Sequence, residues 1–200
     1  MNTWRTLIAV IFAASTNMAL ASSPAPDAIV KNTVQEVMSS LRTDSKIDTN
    51  AAIQLVQTKV FPYFDFDRLS AQALGRHWPT ATPEQQKRIS SEFQTLLVRA
   101  YVNQLLANRN SNVEIKPAAL GADGKSASVE SIVSNPSTGK KISLTYGFID
   151  SANGWKVNNV SVEGISLVTS YRNSFNDVVR KDGIEGLITK MRQKNTQPAK

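Results

Sequence analysis

Residues 126–162 read SASVESIVSNPSTGKKISLTYGFIDSANGWKVNNVSV, and this stretch decides the fold. Ala127, Val129, Ser131 and Val133 alternate with polar neighbours, the period of a half-buried strand. Asn135-Pro136-Ser137-Thr138-Gly139 supplies turn residues, and Ile142, Leu144, Tyr146 and Phe148 then alternate again. A second turn falls at Ser151 to Gly154. Trp155 and Val157 share one phase while Val160 and Val162 take the opposite one, so a bulge is expected at Asn158-Asn159. Upstream, Val113 and Ile115 suggest a further strand, which Pro117 ends. The pattern predicts an antiparallel sheet of four strands, three of them linked by hairpins.

On either side the period is helical. Val30, Val34, Val37, Met38 and Leu41 predict a helix over 26–42, with Pro26 and Asp27 suited to its start. Thr49 or Asn50 can cap a second helix carrying Ile53, Val56 and Val60, which Pro62 ends or kinks. A short third helix is expected from Asp65 to Leu74, with Gly75 as its stop. Thr82-Pro83-Glu84-Gln85 combines an N-cap, a proline at the first helical position and a capping box. The helix that follows runs to near Asn108, with Ile89, Phe93, Leu96, Leu97, Ala100 and Leu105 on one face and Tyr101 at its edge. After the sheet, Gly164 marks a return to helix. Ile165, Val168, Tyr171, Phe175, Val178 and Val179 recur at three- and four-residue steps until Gly183 breaks them. Gly186-Leu187-Ile188 belong to a last short helix, and the polar tail from Gln193 is expected to fray. Helices, a meander, then helices predict an α+β fold: a curved four-stranded antiparallel sheet with helices on its concave face. No repeat or linker divides residues 22–200, which read as one domain.

Residues 1–21 read as a cleavable export signal. Arg5 is a short positive segment, Leu7 to Ala14 is an apolar run too short to span a membrane, and Ala19-Leu20-Ala21 supplies the small–x–small cleavage pattern. The alternative is a buried N-terminal helix. The chain has no cysteine, which excludes thiol chemistry, cysteine-ligated zinc and disulfide staples. His77 is the single histidine, so multi-histidine metal sites are excluded too. Net charge is +7, and Arg5 is the only charge in 1–21, leaving +6 beyond it. That balance suits an anionic partner such as lipid headgroups or an acidic protein surface. The basic residues are scattered without interleaved aromatics, which disfavours nucleic acid.

Few residues suggest chemistry. Asp65 and Asp67 stand two apart, so they do not face each other on a helix, and they sit where a helix begins and carboxylates cap it. Ser166 lies in Glu163-Gly164-Ile165-Ser166-Leu167, which lacks the Gly-x-Ser-x-Gly elbow of a hydrolase; it can cap the helix it enters. His77 has no local carboxylate and nucleophile to complete a catalytic set and reads as structural. The apolar inventory says more. Leu144, Tyr146, Phe148, Trp155 and Val157 face one side of the sheet, and Phe61, Phe64, Leu69, Phe93, Leu97, Ile165, Val168, Tyr171 and Phe175 lie on helical faces. These side chains either fill each other's space or leave a pocket between the two layers.

From Phe61 to Leu187 the chain resembles the MlaC, or toluene-tolerance, family of periplasmic phospholipid-binding proteins. The resemblance runs through Phe61-Pro62-Tyr63-Phe64-Asp65, Leu74-Gly75-Arg76-His77-Trp78, Pro83-Glu84-Gln85, Phe93 with Leu96-Leu97, and Tyr101. It continues through Gly154-Trp155-Lys156-Val157, Val162 to Leu167, Tyr171-Arg172-Asn173-Ser174-Phe175 and Gly183 to Leu187. Family members often carry an aromatic residue and Asp where this chain has Asn158-Asn159. The resemblance implies a non-catalytic periplasmic carrier of glycerophospholipid, monomeric and without a cofactor or metal. It implies exchange of cargo between an outer-membrane lipoprotein–porin complex and an inner-membrane ABC transporter with an MCE-type substrate-binding subunit, which maintains outer-membrane lipid asymmetry. Burying a sixteen-carbon chain is worth roughly 12 kcal/mol at about 0.8 kcal/mol per CH₂, so a carrier must shield nearly the whole tail.

The shared apolar phase and the resemblance together predict a lipid pocket lined by Phe64, Leu69, Phe93, Leu97, Tyr101, Leu144, Tyr146, Phe148, Val157, Ile165, Val168, Tyr171 and Phe175. Arg172 is expected at its mouth, or else paired with Glu163 or Asp177. Two competing readings are an adaptor with a filled core and a steroid-isomerase-like enzyme, the latter needing an acid or base inside the pocket.

Overall fold

The capping box at Thr82 forms as read. The Thr82 hydroxyl accepts from Gln85 N at 3.2 Å, and Gln85 Oε1 accepts from Thr82 N at 3.0 Å. These two bonds satisfy donors that a helix start leaves open, and a 25-residue helix follows. The computed structural model describes residues 23–44 and 46–198; the expected export segment lies outside them. Its helices are α1 (Pro26–Thr43), α2 (Thr49–Lys59), α3 (Phe66–Leu74), α4 (Pro83–Ala107) and α5 (Leu167–Thr196). Short 3₁₀ turns at Phe61–Tyr63 and Gly75–Thr80 flank α3.

Local chemistry sets most of the ends. The N-cap of α2 is Asp48 rather than Thr49 or Asn50, because its carboxylate accepts from Ala51 N at 2.8 Å. Asp65 caps α3 by accepting from Arg68 N at 2.9 Å. Gly75 stops α3 at φ 56° and ψ −127°, a conformation open to glycine. Ser166 caps α5, its Oγ accepting from Thr169 N at 3.4 Å. Gly183, at φ 70°, kinks α5 where the break is expected. The tail expected to fray from Gln193 is instead helical through Thr196. Asn195 Nδ2 holds it by donating to Glu92 O at 2.9 Å and Glu92 Oε2 at 2.7 Å.

The sheet has six strands rather than four: β1 (Asn112–Ile115), β2 (Ala119–Leu120), β3 (Ser126–Ser134), β4 (Lys141–Ser151), β5 (Gly154–Val162) and β6 (Ile165–Ser166). The order is β1-β3-β4-β5-β6, all antiparallel, with β2 beside β1 on the same edge of β3. The two added strands are two residues long, too short for a period to show. Between Gly147↔Asn159 and Phe148↔Val157 the register shifts and leaves Asn158 unopposed, the expected bulge. It returns Val157, Val160 and Val162 to one face, opposite Phe148, Tyr146 and Leu144.

Three buried clusters surround the space over that face, with Phe64 packed against the first and third and Val34 against the second and third. Leu69, Leu74, Ile89, Phe93, Phe175, Leu187 and Ile188 join α3, α4 and α5. Val37, Leu41, Ile53, Val98 and Val102 join α1, α2 and α4. Ile29, Val30, Val129, Phe148 and Val157 join α1 to the sheet. A domain of this size ordinarily has one contiguous core; here the space between the three is a cavity.

Candidate functional site

The cavity holds about 470 Å³, within the range of roughly 300–1,000 Å³ typical of ligand pockets. The sheet supplies its floor: Ile142, Leu144, Tyr146 and Phe148 of β4, Val157, Val160 and Val162 of β5, with Val133 and Val113. The helical side supplies Ile29, Val30, Val34, Val37 and Met38 of α1, and Phe93, Leu97, Val98 and Val102 of α4. Phe61, Phe64 and Phe66 form a wall. Phe61 meets Phe66 edge-on at 4.8 Å and Phe64 stacks on Phe66 at 5.5 Å, so each ring braces the next.

Among the described residues no lining residue is charged, and polar side-chain atoms come from Thr33, Tyr63, Tyr101, Gln104, Asn108 and Tyr146. Tyr63 is 37 % and Tyr101 40 % exposed, and Gln104 is exposed, so these three mark where the cavity meets solvent. Burial raises the Tyr101 and Tyr146 phenols above their ordinary range. The nearby Tyr171 phenol is pushed up to about 12, by burial first and by Tyr101 second. All three are therefore neutral donors at physiological pH. Such a site can take an apolar chain out of water and leave a polar group at the tyrosine-flanked mouth. A second, more polar groove of similar volume runs between α1 and β1 past Lys31, Gln35 and Arg42. Val34, Met38 and Val113 line both spaces.

Of the residues expected to line a pocket, Phe64, Leu69, Phe93, Leu97, Tyr101, Leu144, Tyr146, Phe148, Val157 and Val168 do so. Ile165, Tyr171 and Phe175 do not. Ile165 belongs to β6, not to a helix, and is 65 % exposed. Tyr171 and Phe175 pack edge-on against Phe93 at 5.1 and 5.3 Å, behind the cavity wall between α4 and α5. Arg172 does not line the cavity: its Nε donates to Gln72 O at 2.8 Å and its stem lies over Gly75. Among the residues missed, α1 contributes more than any other single element, from Ile29 to Met38; its apolar face is legible in sequence although its opposite layer is not.

The motifs weighed as chemistry serve structure. Asn176 Oδ1 accepts from His77 Nε2 and Arg76 Nη2, each at 3.0 Å, which ties the turn after α3 to α5. Ser166 Oγ also donates to Asn159 Oδ1 at 2.8 Å, and Gln72 Nε2 donates to Asn158 O at 3.2 Å. The asparagine pair thus anchors the bulge to its neighbours. Among the described residues no three His, Asp or Glu side chains gather as metal ligands, and no helix is long and apolar enough to cross a membrane.

Fold and site together define an α+β protein built around an uncharged apolar cavity between a curved sheet and a helical layer. The chain belongs to the MlaC family, whose model, described as MlaC protein, matches residues 31–193. It is 30 % identical over 162 residues to the toluene tolerance protein ttg2D of Pseudomonas putida, spanning 79 % of this chain and 74 % of that protein. It is 22 % identical over 202 residues to the intermembrane phospholipid transport system binding protein MlaC of Haemophilus influenzae, spanning 98 % and 94 %. A phospholipid-binding protein from Ralstonia solanacearum, solved in complex with a phospholipid, superposes with a TM-score of 0.80 at 36 % identity; the match covers 88 % of this chain and all of that one.

Proposed function

We propose that this protein is a non-catalytic phospholipid carrier that holds acyl chains in the cavity and presents the headgroup at the mouth. The observation that carries the reading is the charge-free lining among the described residues, whose exposed polar groups are Tyr63, Tyr101 and Gln104. Desolvating a tail there meets no buried charge, and dispersion contacts with valine, leucine and phenylalanine replace those with water. The relatives named for phospholipid binding and transport support the same reading. Phe64, Leu69, Phe93, Leu97, Tyr101, Leu144, Tyr146, Phe148, Val157 and Val168 are the proposed tail contacts.

The signal-like residues 1–21 support a periplasmic site of action for a mature chain that starts at Ser22. In that compartment the carrier exchanges cargo with an outer-membrane lipoprotein–porin complex and an inner-membrane ABC transporter bearing an MCE-type subunit. Native mass spectrometry of the exported protein tests both parts. The expected result is a chain beginning at Ser22 with a bound mass matching a diacyl phospholipid. A bare chain would favour the adaptor with no cargo, and a retained Met1 would contradict the export reading.

A further inference from the structure

We propose that Tyr146 is a specificity-determining contact inside the cavity: its hydroxyl, positioned by Ser131, donates a hydrogen bond to an ester carbonyl of the cargo. This inference rests on the carrier reading above. Residues paired across antiparallel strands project from the same face. Ser131 pairs with Leu144 and Val129 with Tyr146, which makes Ser131 and Tyr146 diagonal neighbours on the cavity side of β3 and β4.

Ser131 is fully buried, and its Oγ has no hydrogen-bond partner among the described residues. It lies close enough to the Tyr146 phenol to ease its ionisation, an effect smaller than the opposing one of burial, but outside hydrogen-bond geometry. Buried hydroxyls are as a rule paired, so the orphaned Ser131 hydroxyl on an otherwise apolar floor points to Tyr146, its diagonal neighbour, as the group it serves. Ser131 is sealed from the cavity, whereas Tyr146 lines it. A small rotation that let Ser131 donate to the phenol oxygen would satisfy the serine and leave the phenol hydrogen for a ligand. Tyr146 is a neutral donor, and a neutral acceptor is its match.

The other polar groups of the lining are placed differently. Tyr63, Tyr101 and Gln104 stand at the exposed mouth, and Thr33 is half-buried on α1. Asn108 is engaged with Gln104 O, Ser111 and Asn135. A methylene chain offers Tyr146 nothing to accept its hydrogen, and a phosphate belongs with the charged headgroup in water. The ester carbonyl between headgroup and tail is the acceptor of suitable charge, so the site favours ester-linked over ether-linked lipid.

The test loads lipid-stripped protein from vesicles holding equal amounts of a diester phosphatidylethanolamine and its diether analogue with the same chains. The bound ratio is read by mass spectrometry. The wild type should enrich the diester about three- to tenfold, the factor that one net hydrogen bond confers. Tyr146→Phe should bring the ratio of the lipid it does load near one, and Ser131→Ala should fall between. A wild-type ratio of one, or an unchanged ratio in Tyr146→Phe, overturns the proposal. If Tyr146→Phe fails to fold, an unchanged ratio in Ser131→Ala overturns it. Failure to load either lipid would instead overturn the carrier reading.

Discussion

The Asp65 backbone N–H donates to Val157 O at 2.9 Å, fastening the start of α3 to the edge of β5. Phe64 and Val157 form the accompanying parallel bridge, and both line the cavity. One contact thus covers an otherwise open strand edge and joins the cavity's wall to its floor. The same residue caps α3 through its side chain, so the wall and the helix behind it share an anchor.

Asp65→Ala should therefore lower stability by about 0.5–2 kcal/mol, the usual cost of an N-cap. Asp67→Ala, exposed in the first turn, should cost less than about 1 kcal/mol, since it loses only a dipole interaction. The Arg68–Asp65 ion pair at 3.4 Å is half-exposed and adds little. Urea unfolding of both variants measures the difference, and bound lipid should be unchanged in each. Loss of cargo from a folded Asp65→Ala protein would mean that the carboxylate acts at the site rather than on the helix.

Leu97 and Leu144 face the cavity from α4 and β4, so a tryptophan at either position should occupy tail space. Leu97→Trp and Leu144→Trp are expected to lower co-purified lipid several-fold. Overpacking can also cost about 1–3 kcal/mol, so melting curves accompany the lipid assay. Ile165→Trp is the control: it adds the same ring on an exposed edge strand and should leave cargo unchanged. Full lipid occupancy in both cavity variants would remove these residues from the proposed lining.

What the chain reveals before folding follows the range of the forces involved. The Thr82–Gln85 box, the Gly183 kink and the Asn158 bulge are short-range, so residue type and phase specify them directly. Ile165 shares helical spacing with Val168, yet Glu163-Gly164 turns the chain so that it pairs with Val162 instead. The turn is made by Glu163 at φ 50° and Gly164 at φ 76°, and a positive φ at a glutamate is not signalled by residue type. Tyr171 and Phe175 share the apolar side of α5 with Val168, but that side meets the α4 aromatic Phe93 first and the cavity only at Val168. Arg172 reads as a headgroup ligand until α3 brings Gln72 O within 2.8 Å of it. Which layer an amphipathic face meets is a long-range outcome, and that is why α1, a principal wall, was missing from the expected lining.

Tyr171 gives the protein a pH dependence in the alkaline range. Its phenol titrates near 10.0 when unfolded and is pushed up to about 12 in the fold. Above 10 the unfolded chain releases this proton while the folded chain keeps it, so the unfolded state binds fewer protons and stability falls as pH rises. The contribution is fully present below 10 and is lost progressively up to about 12. Tyr146, also raised by burial, acts in the same direction. Denaturant midpoints measured from neutral to strongly alkaline pH should decline across that window, and less steeply for Tyr171→Phe. An identical slope in the variant would assign the alkaline loss to other groups.

Salt should separate encounter from retention. The chain beyond residue 21 carries +6, whereas among the described residues no charged side chain lines the cavity. Surface cations draw the protein to anionic vesicles at long range, and at physiological ionic strength charges more than about 8–10 Å apart are largely screened. Transfer from anionic vesicles is therefore expected to slow as salt rises from low to physiological levels. Bound lipid rests on buried CH₂ groups and should stay with the protein. Transfer rates followed with a fluorescent lipid, alongside the lipid content of protein dialysed at each salt, measure the two separately. If rising salt strips the cargo and leaves the transfer rate alone, headgroup charge holds the lipid, and the division between a charged exterior and an apolar interior fails.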